Sequence, residues 1–109
     1  MSALTLDKHI ATLLNAVTSN QTSGITSLGR NRRTIQSSIA GTGAVSGTVT
    51  WYGNNTNAAS GGVLLATHTL SGTTTDVAGS DISGEWPFIY CTLASISGTG
   101  AAVTCTVAV

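Results

Sequence analysis

Two stretches decide how this chain folds: Ser38-Ile39-Ala40-Gly41-Thr42-Gly43-Ala44 and Ser95-Ile96-Ser97-Gly98-Thr99-Gly100-Ala101. They differ only at their third residue, and Gly41 and Gly98 stand 57 positions apart. β-forming residues flank both: Thr34-Ile35-Gln36 and Val45 to Trp51 around the first, Pro87 to Leu93 and Val103 to Val109 around the second. Gly-x-Gly between two alternating runs predicts a hairpin loop, closed by at least one glycine of positive φ in each corner. Gly41, Gly43, Gly98 and Gly100 are therefore the expected hairpin corners, and the near-identity of the two stretches points to a structural repeat.

Working outward from the first corner, Ile35, Ser37 and Ile39 share a parity with Val45, Gly47, Val49 and Trp51. Pairing Ile39 with Val45 and Ile35 with Val49 would put these on one buried face. Gln36, Ser38, Ser46, Thr48 and Thr50 would then lie on a wet or partner-covered one. At the second corner Ile89, Cys91 and Leu93 match Val103, Cys105, Val107 and Val109. Both cysteines thus read as inward-facing, with Cys91 opposite Cys105 on an adjacent strand. That geometry strains a disulfide and a cytoplasmic setting keeps thiols reduced, so two buried free thiols are expected. Apolar surroundings raise a thiol pKa and leave it unreactive.

Elsewhere the signals are shorter. Leu6, Ile10, Leu13, Leu14 and Val17 fit one face of a helix, with Asp7 in its first turn, yet Leu14 to Thr18 alternates as a strand does. An N-terminal arm or short helix within residues 1–20, leading into a first strand near residues 12–18, accommodates both. Asn20 to Ser27, Gly53 to Gly62 and Gly72 to Gly84 read as loops, and Val63 to Leu70 as a strand. Pro87 suits a strand start, where its missing N–H does little harm.

Composition bounds the class. With 109 residues the chain makes one β domain, 1–109. Only 7% of its residues are charged, its net charge is zero and 41% are hydrophobic. That balance opposes disorder, and it leaves a lone molecule poorly protected against association. Self-association or a protein partner is the expectation. Ser, Thr, Gly, Ala and Val dominate while Lys and Glu are scarce, which is the composition of short strands and turns. No apolar run is long enough to cross a bilayer as a helix, so no membrane partner is expected. The first residues lack a signal-peptide pattern, which places synthesis and assembly in a cytoplasm. On that footing the sequons Asn20-Gln21-Thr22 and Asn54-Asn55-Thr56 read as chance.

Chemistry-bearing residues are few. Arg30, Arg32 and Arg33 hold three of the four basic side chains. They form either a solvated turn or an electrostatic contact, and with Trp86 they are the candidate interface residues. No basic stripe continues them, so nucleic acid is not an expected partner. His68 stands alone in its strand, far from His9, and reads as a hydrogen-bonded strand histidine rather than a metal ligand. Asp76, Asp81 and Glu85 cluster in one stretch without EF-hand spacing. No Gly-x-Ser-x-Gly elbow, P-loop or Cys-x-x-Cys occurs, and neither Gly-Thr-Gly has the third glycine of a dinucleotide site. No enzyme, metal or cofactor is expected.

Taken together, Thr48 to Tyr52, Gly53-Asn54-Asn55, Thr69-Leu70-Ser71-Gly72, Trp86-Pro87-Phe88 and Ile96 to Val103 resemble the C-terminal halves of small structural proteins of tailed-bacteriophage virions. The likeness covers about residues 30–109. It implies an all-β sandwich or jelly-roll-like barrel of six to eight strands and a structural role. That role would be a capsid decoration or cement protein on the phage shell, bridging subunits of the major capsid protein, assembled in the host cytoplasm. A tail, neck or fibre component is the alternative within such virions. The family often carries an arginine where Cys91 or its neighbours stand, and none is present here. From the residues alone, Trp51, Tyr52, Trp86 and Tyr90 offer a different alternative, a small carbohydrate-binding module.

Overall fold

The computed structural model describes residues 10–27, 34–82, 84 and 86–108. Eight strands run along them: β1 (Ile10–Val17), β2 (Gln21–Thr22), β3 (Thr34–Ala40), β4 (Val45–Asn54), β5 (Val63–Gly72), β6 (Thr75–Asp81), β7 (Phe88–Ser97) and β8 (Ala102–Ala108). They form two four-stranded antiparallel sheets, ordered β1-β8-β3-β6 and β2-β7-β4-β5. The fold is a β-sandwich. Its core lies between the sheets and is built from the inward parity of β3, β4, β7 and β8: Ile35, Ile39, Val49, Trp51, Ile89, Leu93, Val103 and Val107 are all buried. Gln36, Ser46, Thr48 and Thr50 take the outward parity. Alternation of this kind, one face apolar and one polar, drives two antiparallel sheets to pack face to face.

The corners close differently from the hairpins expected of them. β3 and β4 lie in different sheets, as do β7 and β8. Ile35 pairs with Val107 and Ile39 with Val103, while Val49 pairs with Leu93. Each Gly-Thr-Gly stretch is therefore an arch that carries the chain from one sheet to the other. In both sheets the paired residue numbers have the same sum, from Thr34 with Ala108 to Asn54 with Phe88, except at Ser46 with Ser97, where the register shifts by one. The segments 34–54 and 88–108 are thus one long antiparallel ribbon, bent in half across the sandwich. The two arches make the bend side by side: Thr42 donates both its N–H and its hydroxyl to the Thr99 carbonyl, each at 3.0 Å. The two similar stretches thus take equivalent places in the fold, each an arch between the sheets.

Strand β1 takes the helical-looking stretch from Ile10 on. The free edge of β8 supplies it with a hydrogen-bonded partner, and tertiary pairing overrides the helical periodicity. Two register shifts bend it, and Ala16 adopts φ 51° with its N–H donated to Thr104 Oγ1. Residues 1–9 lie outside the described residues, and with them the arm or helix expected there. The stretch from Gly72 to Gly84 is not all loop. Thr75–Asp81 pairs with β3 throughout its length, a strand that Gly79 and the two aspartates disguise. Asn20 to Ser27 likewise holds β2 and a bridge from Thr26 to Ile89.

Candidate functional site: a polar seam through the core

A line of polar side chains crosses the apolar interior from one edge to the other. Ser37 Oγ lies at its centre, fully buried. The Trp51 indole N–H donates to it at 3.0 Å, and His68 Nδ1 lies 2.8 Å away. His68 Nε2 contacts Ser80 Oγ at 2.9 Å. On the other side Ser37 hydrogen-bonds Cys105, and Cys105 hydrogen-bonds Cys91. Beyond Cys91, Ser23 N–H donates to the Cys91 carbonyl at 2.8 Å, and Cys91 N–H donates to Ser23 Oγ at 3.0 Å. Strands β3 to β8 each contribute one of these side chains, and Ser23 follows β2.

Sequence explains why they meet. Ser37, Trp51, Cys91 and Cys105 all hold inward positions, and the register pairs Ser37 with Cys105 and Trp51 with Cys91. His68 is brought inward opposite Val49 in β5. One arrangement of protons satisfies every partner. Cys91 S–H donates to Cys105 sulfur, Cys105 S–H and Trp51 N–H donate to Ser37 Oγ, Ser37 O–H donates to Nδ1, and Nε2–H donates to Ser80. Buried polar groups satisfied in this way fix a unique register, because any slip would leave several unpaired.

Electrostatics follow from burial. Burial holds His68 below its ordinary pKa of 6.5 and keeps the imidazole neutral. The Cys91 thiol is pushed far up, chiefly by its hydrogen bond to Cys105 and further by burial. Cys105 accepts that bond, which lowers its pKa, and its contact with Ser37 lowers it further against the opposing effect of burial. Cys105 is therefore the thiol of the pair that ionises first. Ser37 beside His68 has the makings of a nucleophile and base, but Ser37 is 0% exposed and nothing in solution reaches it in this conformation. What the seam does in this state is hold six strands, and the segment after β2, in register.

His68 is thus the hydrogen-bonded strand histidine its sequence context indicates, and both cysteines are buried and free. They face each other across the sandwich, not from adjacent strands. Trp51 is wholly buried and Tyr90 nearly so, with the Tyr90 hydroxyl accepting from Gly62 N–H at 2.9 Å. Tyr52 stacks on Tyr90 at 5.0 Å between ring centroids, and the Trp86 indole occupies the space a side chain on Gly53 would need. Two of the four aromatics proposed as a sugar platform are therefore inside. Trp86 itself is half-buried, and Arg30, Arg32 and Arg33 lie outside the described residues. Asp76 and Asp81 sit at opposite ends of β6, with Asp76 accepting from the N–H groups of Ser71 and Val77, and Glu85 is outside the described residues. Of the corner glycines, Gly98 and Gly100 have φ of 119° and 67°, whereas neither Gly41 nor Gly43 has positive φ. Gly41 is needed for closeness instead: a Cβ there would stand 2.5 Å from Val45 and 2.9 Å from the Thr99 carbonyl. Sequence reasoning missed Ser37 as the hub, and Ser23 and Ser80 as the ends. A lone inward serine between Ile35 and Ile39 was the available signal.

No protein-family model matches the chain, and no curated protein matches it. Among solved structures it is similar to the SPBc2 prophage-derived protein YomS, with a TM-score of 0.61 and 20% identity over 99% of this chain and 97% of that one. A structure of infectious bursal disease virus, Gx strain, aligns at a TM-score of 0.38 and 11% identity, covering 99% of this chain and 36% of that one, too loosely to bear on the fold. The chain and YomS share one sandwich fold from end to end.

Proposed function

We propose that the protein is a structural component of a tailed-phage virion, a decoration or cement protein that binds the outside of the shell and bridges subunits of the major capsid protein. On this reading it is not an enzyme and carries no cofactor. It works on the capsid surface, assembled in the host cytoplasm.

The observation that carries a binding role is an uncharged, unguarded surface. Among the described residues only Asp76 and Asp81 are charged, and both lie in β6. On the outer face of the β2-β7-β4-β5 sheet, Thr22, Thr92, Thr50 and Thr67 form one row across all four strands. Methyls and hydroxyls in such a row suit a neutral protein surface. Edges of sheets are ordinarily blunted by charge, proline, bulges or brevity. Here β6 carries its aspartates, β2 has two residues and β1 is bent twice, whereas the ten residues of β5, irregular once at Leu65, carry no charge and expose Val63 and Leu64 by 53% and 59%. That edge offers strand pairing and apolar area to a neighbour, the means by which a cement protein holds. The likeness to a prophage-derived protein supports the phage setting.

Immunogold labelling of purified particles of the phage that encodes the chain tests the proposal. Label over heads is the expected result. Label confined to tails would replace the decoration role with the tail or fibre alternative, and particles free of the protein would overturn both.

A further inference from the structure

We propose that Cys91 and Cys105 are a latent inter-sheet disulfide, closed by exchange with a low-molecular-weight disulfide when the sandwich opens locally. The two thiols come from β7 and β8, central strands of opposite sheets, and both face the interior, where their register partners Trp51 and Ser37 meet in a 3.0 Å hydrogen bond. Each is 0% exposed, and both are free. Facing inward cysteines on the two sheets of a sandwich can be bridged: immunoglobulin domains do so, with the bridge packed against a buried tryptophan. The same surroundings exist here, since Trp51 is the register partner of Cys91 and is itself fully buried. The reading rests on no partner and is independent of any virion role.

The chemistry balances without a metal or cofactor. Cys105, the thiol that ionises first, loses its proton to water and attacks one sulfur of the small disulfide. A mixed disulfide forms and one thiolate leaves. Cys91 then gives up its proton and attacks the Cys105 sulfur, expelling the second thiolate, which is protonated in turn. Two protein thiols are oxidised and one small disulfide is reduced to two thiols. Access is the slow step. The cover over Cys91 is short: β2 pairs with β7 through Gln21 and Thr22, Ser23 closes on the Cys91 backbone and Thr26 bridges Ile89. Local opening at such a short edge strand costs less than global unfolding.

The test is refolding of the reduced protein from denaturant in a glutathione redox buffer, followed by denaturing alkylation and intact-mass measurement. The expected product has lost two hydrogens and takes up no alkylating reagent. It should melt roughly 10 °C above the reduced form, because the bridge restrains the unfolded chain between Thr92 and Thr104. Native protein treated with oxidised glutathione should reach the same product more slowly. Cys91→Ala and Cys105→Ala should each yield at most one glutathione adduct. Because the wild-type chain alone decides the question, poor folding of either variant changes nothing. Folded protein that keeps two alkylatable thiols in the oxidising buffer, or that carries two glutathiones or forms disulfide-linked dimers, would overturn the proposal.

Discussion

Ser37 has one hydroxyl proton and two lone pairs, and the seam uses all three. In the arrangement that satisfies every partner, Trp51 and Cys105 occupy the lone pairs and the proton goes to His68 Nδ1. A protonated imidazole would carry a proton on Nδ1 as well, so Ser37 would be asked to accept a third donor. Protonation is thus opposed by burial and by geometry, in keeping with a pKa below 6.5. The sign of the linkage follows. Between the folded pKa and the unfolded value of about 6.5, the unfolded state binds more protons. The stability that neutral His68 provides is fully present above that unfolded value and is lost as pH falls through the folded one. The melting temperature should therefore drop as pH is lowered from 7.5 to 5 in scanning calorimetry, and His68→Gln should flatten that part of the curve. An unchanged slope in the variant would assign the pH dependence to other groups.

At the scale of the element, the arches are where reading the chain and seeing it diverge, and the reason is geometric. In a hairpin, Ile39 and Val45 would be neighbours in one sheet, both facing the core. In an arch they belong to facing sheets, and both still face the core. Parity is the same in the two cases, so in-and-out alternation located β3, β4, β7 and β8 and assigned their buried faces without revealing their partners. Strand β6 was illegible for another reason. Thr-Asp-Val-Ala-Gly-Ser-Asp has turn-forming residues at the positions of a strand, and only the long pairing with β3 makes it one. The seam was half legible: Trp51 and the cysteines could be placed inward one by one and His68 marked as hydrogen-bonded, but their meeting depends on register, which the sequence leaves open. The arches also yield an asymmetric prediction. At Gly98 a Cβ would collide with the Ala44 carbonyl in a backbone of φ 119°, while at Gly43 nothing lies within 4 Å. Gly98→Ala should cost at least about 2 kcal/mol in urea unfolding, and Gly43→Ala should stay within about 0.5 kcal/mol of the parent. Equal effects would refute the division of labour between the two glycines.

For the whole molecule, the open question is what meets its neutral surface. Zero net charge gives copies no mutual repulsion, and β5 gives them an edge. The isolated protein should therefore self-associate in light scattering at high concentration. Val63→Lys with Leu64→Lys should restore a monomer while changing stability by less than about 1 kcal/mol, since both side chains are exposed. Association that survives both lysines would move the contact to another edge.

The bent ribbon also sets a schedule for synthesis. Strand β1 has no partner except β8, and the middle of its sheet is empty until Ala102–Ala108 has left the ribosome. Before then β3 can pair only with β6, and β4 has β5 and, once residues 88–97 are made, β7, so the faces bearing Ile35, Ile39, Val49 and Trp51 wait without Val103, Cys105 and Val107 to complete the interior. Nearly every stabilising contact of the ribbon joins residues made early to residues made late, and folding dominated by such distant pairings is slow. The nascent chain thus passes most of its synthesis as two half-built sheets with apolar faces and few charges to keep them apart. Folding becomes a single closing event, in which the returning strand slides between β1 and β3 and completes the polar line as it does so. Cells that make this chain at high rate should accumulate aggregates of unfinished or truncated polypeptide well before they accumulate aggregates of the finished one.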